Sequence, residues 1–322
     1  MIDKALLFVP VASTYRAGTT SFACKPRCCA KLQQLLGEPE EPLPLPDVSR
    51  LGVGTIWAGR QWPPGNARYK PPAAGALDRQ IRTALAQIAP GQRLMLDTAS
   101  GYGDSEVRLG EWLRAPANAE AAARCVVATK FGESFDGASG RTAVALDAAA
   151  AERQLSASEA ALGGEGGAGR VALLYSHVTS QLSPEAAAAV YADAALADFL
   201  REAKAGGRVA LLGTSCSYPA VLRAALEQGQ LADLDVVQLA AKACVAEPEL
   251  VEALAAAGKL VVANSPVRQL LSRPDEEATQ DAVDEAVDRL LESCPRVAVV
   301  LVGTGSAVRL AHIGQCILKF RP

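Results

Sequence analysis

Residues 93–113 read RLMLDTASGYGDSEVRLGEWL, and this passage decides the fold. A short apolar run, RLML, ends on Asp97. It turns through glycines on either side of Tyr102 and enters a helical stretch from Ser105, with Asp104 or Ser105 as the N-cap. The same order of apolar run, polar end and longer Ala-rich helical segment recurs along the chain. Strands are expected at 51–56, 93–97, 125–130, 171–176, 209–213, 235–238, 260–264 and 297–302. Helices are expected at 76–88, 105–113, 143–162, 184–204, 219–227, 248–256, 279–292 and 307–318. Continuous apolar strands are those of parallel sheets buried on both faces, and each parallel pair needs a crossover helix. Eight such units predict a closed (β/α)8 TIM barrel, with a doubly wound open sheet as the alternative.

The whole chain fits this size class. It has 322 residues, half of them apolar and 5% aromatic, and its 32 Lys+Arg against 35 Asp+Glu leave a formal charge of -3. That composition excludes a mostly disordered chain and lacks the basic field that phosphate-dominated nucleic-acid binding requires. No uninterrupted apolar stretch is long enough for a spanning helix, so no membrane partner is expected. Oligomeric state is not readable from these features.

Residues 1–47 are expected to form an N-terminal extension, and residues 48–322 the barrel. The extension is rich in Ser, Thr, Arg, Lys and Cys, with Asp3 its only acid before Glu38. An organelle transit peptide and an ordinary tail account for it equally well, so the expected location is the cytoplasm or the chloroplast stroma. The run EPEEPLPLP (38–46) has too many prolines for helix or central strand. The eight cysteines have no framework spacing. Cys24, Cys28 and Cys29 cluster, but His177 and His312 lie far away in sequence, so no metal site is expected there.

A parallel barrel carries its chemistry at the C-terminal ends of its strands. Asp97 ends the second expected strand, Lys130 the third and Gln238 the sixth, while His177, Ser215 and Ser265 follow the fourth, fifth and seventh. A strand meeting water often ends on one polar residue, but here the set forms a scheme. Tyrosine, with an ordinary pKa of about 10, is a poor acid unless a cation stabilises its phenolate. Lys130 supplies that cation for Tyr102, Asp97 fixes the ammonium, and His177 holds a carbonyl oxygen. Such a site protonates a carbonyl oxygen while a hydride reaches its carbon. Three plainer readings stand beside it. Tyr102 and Lys130 form a surface pair worth under about 1 kcal/mol; His177 is a core histidine bonded to a backbone carbonyl; or Lys130 is a Schiff-base nucleophile.

The chain resembles the aldo-keto reductase family over residues 51–313. LGVGTIWAG (51–59) is similar to the family's opening strand, DTASGYGDSEVRLGEWL (97–113) to its Asp-Tyr segment, ATKFG (128–132) to its lysine strand and LLYSH (173–177) to its histidine strand. LGTSCS (212–217), VVQLAAK (236–242), VVANSPV (261–267) and LVGTGSAVRL (301–310) resemble its later landmarks, in order. The resemblance implies a catalytic tetrad of Asp97, Tyr102, Lys130 and His177, with Tyr102 as general acid and a small carbonyl or alcohol as substrate. It also implies NADPH lying across the barrel mouth. Ser215, Gln238 and Ser265 match positions that hold its carboxamide and pyrophosphate, and Arg309 matches the arginine that pairs with the 2'-phosphate. Gly303 and Thr304 open a turn whose following helix start suits a phosphate.

The pattern departs from the family at four positions. Cys216 replaces an asparagine, Asn264 an aromatic residue that stacks on nicotinamide, and His312 and Ile313 a Glu and Asn that hold adenine. A lost stacking ring costs about 0.5–1.5 kcal/mol and a lost charged hydrogen bond about 1.5–3 kcal/mol. These departures motivate an alternative, a catalytically weakened binding or redox-sensing subunit; NADH as cofactor is a further one. The loop at 57–72, WAGRQWPPGNARYKPP, reads equally as an aromatic substrate wall or a plug, and the glycine run at 163–169 as a linker.

Overall fold

The computed structural model describes residues 45, 47–61, 72–163, 171–271 and 279–320. The expected transit peptide, nearly all of the proline-rich lead-in, most of the 57–72 loop and all but the first residue of the glycine run lie outside the described residues.

Eight parallel strands close into a barrel. They are β1 (Val48–Gly54), β2 (Arg93–Asp97), β3 (Cys125–Phe131), β6 (Leu173–Val178), β7 (Leu211–Cys216), β8 (Val236–Ala240), β9 (Leu260–Asn264) and β10 (Val297–Val302). Around the barrel the order is β1-β10-β9-β8-β7-β6-β3-β2, so each strand pairs with the next barrel strand in the chain and β1 closes on β10. The open-sheet alternative is thereby set aside. An antiparallel hairpin, β4 (Glu133–Asp136) with β5 (Arg141–Val144), follows β3 and was not anticipated.

Side chains alternate across the barrel wall, as a strand's two-residue period demands. One face packs outward under the helices in the larger apolar cluster, with Leu94, Leu96, Val127, Leu174 and Val261. The other fills the interior with Met95, Ala128, Leu173, Tyr175, Val236, Val262, Val299 and Leu301. Gly213 pairs with Tyr175 across β6 and β7, and a Cβ at Gly213 would lie 2.6 Å from the Tyr175 ring. The bulk of one interior position is thus matched by the absence of a side chain at the next.

Several boundaries move for identifiable reasons. The fourth and fifth strands start two residues later than expected, because their parallel register runs from Leu173↔Leu211 to Val178↔Cys216. His177 and Ser215 therefore lie within strands rather than beyond them. The helix expected at 184–204 is two, Pro184–Ala192 and Ala194–Ala205, because the Asp193 carboxylate accepts from the Leu196 amide and caps the second. The helix expected from 143 begins at Ala148, after β5, with Asp147 accepting from the Ala150 amide at 2.7 Å. Neither Asp104 nor Ser105 caps the helix Ser105–Arg114 through its side chain. Ser105 instead donates to the Thr55 hydroxyl at 2.7 Å, joining β2's exit to β1's.

Candidate active site

Four residues named by the sequence converge at the C-terminal end of the barrel. Asp97 closes β2, Lys130 is the penultimate residue of β3, His177 the penultimate residue of β6, and Tyr102 stands on the turn after β2. The Lys130 ammonium donates to Asp97 Oδ1 at 2.6 Å, to the Thr98 carbonyl at 2.9 Å and to Tyr102 Oη at 3.3 Å. An ammonium has three donors, and all three are used. The Lys130 side chain is 0% exposed and that of Asp97 5%, which excludes the surface-pair reading. Burial alone would push the lysine down, but Asp97 and Tyr102 outweigh it and hold its pKa above the ordinary value. The Tyr102 phenol is pushed up by burial against the pull of Lys130, so the resting pair is ammonium and neutral phenol.

Tyr102 owes its place to glycine. Residues Ile56–Gly59 form a short helix after β1, and a Cβ at Gly59 would lie 1.9 Å from the Tyr102 carbonyl oxygen and 2.3 Å from the Ser105 amide. Gly103, at φ +60°, takes the left-handed conformation that glycine adopts without strain, and a Cβ there would lie 2.6 Å from the Gly59 carbonyl. The tyrosine turn thus rests directly on the backbone that leaves β1.

His177 meets Tyr102 edge to face, with ring centroids 6.2 Å apart. Its Nδ1 lies 3.4 Å from Glu133 Oε2 yet makes no hydrogen bond among the described residues, so it is not a core histidine satisfied by a backbone carbonyl. Burial, aided by the charges of Lys130 and Arg60, pushes its pKa down to about 3 and leaves a neutral ring. Two residues that sequence reasoning missed support this side. Glu133, the first residue of β4, accepts from Arg60 at 2.9 Å, and Arg60 also donates to the Gly101 carbonyl at 2.6 Å and stacks on Phe135 at 4.6 Å. Their only sequence signal was a charge just beyond a strand end.

Ser215 and Gln238 join the same polar layer. The Gln238 amide donates to Asp97 Oδ2 at 2.8 Å and accepts from Ser215 at 2.7 Å and from Asn264 at 3.2 Å. Asp97 is therefore bonded to the lysine on one side and, across the barrel, to β8 on the other. Ser265 adopts the left-handed conformation at φ 54°, uncommon for a residue with a side chain. Gly303 and Thr304 lie on the turn after β10; Thr304 accepts from the Ser306 amide, and Ser306 caps the helix Ala307–Lys319. Arg309 is exposed in that helix's first turn and makes no ion pair among the described residues. His312 is engaged elsewhere, 2.8 Å from Asp284.

The model of the aldo/keto reductase family matches residues 50–310. Among solved structures, the chain is similar to an aldo-keto reductase described as putative from Pseudomonas aeruginosa, at 24% identity over 84% of this chain and 92% of that one, with a TM-score of 0.63. It is also similar to the holo form of an aldo-keto reductase from Bacillus halodurans, at 18% identity, 85% and 88% coverage and a TM-score of 0.58. A third is an aldo-keto reductase of the silkworm Bombyx mori complexed with NADPH, at 19% identity, 84% and 80% coverage and a TM-score of 0.56. No curated protein matches the chain by sequence. No helix among the described residues is long and apolar enough to cross a membrane.

Proposed function

The chain belongs to the aldo/keto reductase family, and from that premise we propose that it reduces an aldehyde or ketone to an alcohol, or runs the reverse, with NADPH as hydride source and Tyr102 as general acid. The observation that carries the reading is the buried Asp97–Lys130–Tyr102 chain, in which a fixed ammonium lies 3.3 Å from the phenol oxygen. As the carbonyl oxygen gains negative charge, Tyr102 delivers its proton and Lys130 stabilises the phenolate left behind. Neutral His177 positions that oxygen by hydrogen bonding without competing as an acid. Asp97 keeps the ammonium charged and aimed.

The residues at the mouth fit a phosphorylated dinucleotide. Arg309 is a guanidinium with no carboxylate partner among the described residues, beside the glycine turn and start of a 13-residue helix, a setting suited to the 2'-phosphate. Ser215, Gln238 and Asn264 would offer amide and hydroxyl groups to the carboxamide, and Ser265 a hydroxyl to the pyrophosphate. When bound, NADPH would supply the hydride.

Lys130 is a poor Schiff-base nucleophile here, since its three hydrogens are engaged and its charge is stabilised. A second reading, a binding or redox-sensing subunit, draws on Asn264 in place of a stacking ring and on His312 committed to Asp284.

The test is to titrate the full chain with NADPH and NADH by tryptophan fluorescence, then follow NADPH oxidation with a panel of reactive aldehydes. NADPH-selective binding with turnover that Y102F lowers by about 100- to 10,000-fold, at unchanged NADPH affinity, is expected. Binding without turnover of any aldehyde, or no binding of either nucleotide, would reject the reductase and favour the second reading.

A further inference from the structure

The last two long helices, Gln280–Ser293 and Ala307–Lys319, bring together three side chains that take no part in the barrel mouth. Asp284 comes from the first. His312 and Cys316, four residues apart on the second, share one face of it. Asp284 Oδ1 lies 2.8 Å from His312 Nε2 and 2.8 Å from Cys316 Sγ, and Sγ lies 4.0 Å from Nε2. All three are half-buried, and their ligand atoms lie within 4.8 Å of one another.

We propose that Asp284, His312 and Cys316 form a binding site for a zinc-class divalent cation, with water completing the fourth position. Tetrahedral zinc with bonds of about 2.0–2.3 Å sets its O–N, O–S and N–S ligand atoms about 3.3–3.6 Å apart. The present triangle therefore has to open by less than about 1 Å on its two short edges and close by about 0.4 Å on its long one, within reach of rotamer adjustment. The charge also fits: a carboxylate and a thiolate with a neutral imidazole neutralise a dication. Without metal, burial and the Asp284 carboxylate push the Cys316 thiol up to about 12, so a proton holds the two acidic groups together where the cation would. The sulfur, nitrogen and oxygen donors favour Zn²⁺, and in vitro Co²⁺ or Cu²⁺, over Mg²⁺ or Ca²⁺. The inference does not rest on the proposed reductase activity. A Cys–His–Asp nucleophile is disfavoured because the His312 ring nitrogen and the Cys316 sulfur both meet the same carboxylate oxygen at 2.8 Å and lie farther, 4.0 Å, from each other. The cation would tie the helix that follows β10 to the one before it.

The full chain is tested with Cys24, Cys28 and Cys29 replaced by serine throughout, to remove the other cysteine cluster. Zn²⁺ affinity and stoichiometry are measured by competition with a chromophoric chelator, and Co²⁺ loading by absorbance. One equivalent of Zn²⁺ and a thiolate-to-cobalt charge-transfer band are expected. Losing even an outer-shell partner costs about 10- to 100-fold in metal affinity, so C316S, H312N and D284N should each weaken binding by more than about 100-fold, with C316S abolishing the band. Circular dichroism verifies that each variant is folded, and the three separate ligand variants keep the test open if one fails. No binding by the parent, or binding unmoved by all three substitutions, would overturn the proposal.

Discussion

Replacing Asp97 by asparagine isolates the electrostatics of the polar layer with almost no change of shape. Lys130 is wholly buried, and its shortest contact is with Asp97 at 2.6 Å. The introduced amide can still accept one hydrogen bond from the ammonium but supplies no charge. Removing one partner of a buried ion pair costs about 3–5 kcal/mol, in line with about 4 kcal/mol for unit charges 4 Å apart at an effective dielectric near 20. The second oxygen matters too. Gln238 donates to Asp97 Oδ2, and in D97N it would meet an amide donor there unless Gln238 flips, which then sets its donor against that of Asn264. Restoring that bond requires Gln238 and then Asn264 to flip together, and with the lost charge D97N is expected to lose about 4 kcal/mol near pH 6.

The pH dependence provides the sharper test. In D97N burial acts on Lys130 without the carboxylate that outweighed it, so the folded pKa falls below that of the unfolded chain. A lysine lowered on folding binds fewer protons in the folded state, so stability rises with pH. The deficit of D97N against the parent should thus shrink between pH 6 and pH 9, measured by urea unfolding. A deficit under about 1 kcal/mol, or one that stays constant over that range, would refute the reasoning.

R309A should weaken NADPH binding by about 10- to 150-fold, the worth of a charged hydrogen bond, while NADH binding stays within about twofold; fluorescence titration reads both. His177 is pushed down to about 3 from an ordinary value near 6.5. The unfolded chain therefore takes up this proton first, and stability that is intact above pH 6.5 should fall on acidification, by about 2 kcal/mol near pH 5. Comparison of unfolding midpoints with H177Q should show that part of the acid sensitivity disappear. G59A puts a methyl group where 1.9 Å separates it from the Tyr102 carbonyl, so it should cost about 1–3 kcal/mol and lower turnover more than nucleotide affinity. Equal loss of both would place Gly59 outside the tyrosine's support.

The barrel was readable because buried parallel strands leave dense apolar runs, such as VVAT before Lys130 and VAVVLV at 297–302. The convergence of Asp97, Tyr102, Lys130 and His177 was readable because they stand at strand ends or on the turn just after one, positions fixed by local pattern. Glu133 and Arg60 were not, since their ion pair joins loops 73 residues apart and neither loop has a periodicity of its own. The hairpin β4–β5 pairs ESFD with RTAV across a Gly-containing turn; its one buried residue is the charged Glu133 and the rest are exposed or half-buried, so no apolar signal announced it. The split at Asp193 depended on a single capping carboxylate inside an Ala-rich run whose helical propensity is nearly uniform.

The bond from Gln238 to Asp97 spans 141 residues and crosses the barrel, and it is a seam between two halves of unequal duty. Asp97, Tyr102, Lys130, His177, Glu133 and Arg60 all precede β7, whereas Ser215, Gln238, Asn264, Ser265, the glycine turn and Arg309 all lie on β7 or after it. In the proposed mechanism, proton handling falls to one half of the chain and ligand grip to the other. Cys216, Asn264, His312 and Ile313, the four departures from the family pattern, fall without exception in the second half. A lineage built this way can retune what it holds, or give up a contact to gain another, while its acid-base machinery stays out of reach of the change.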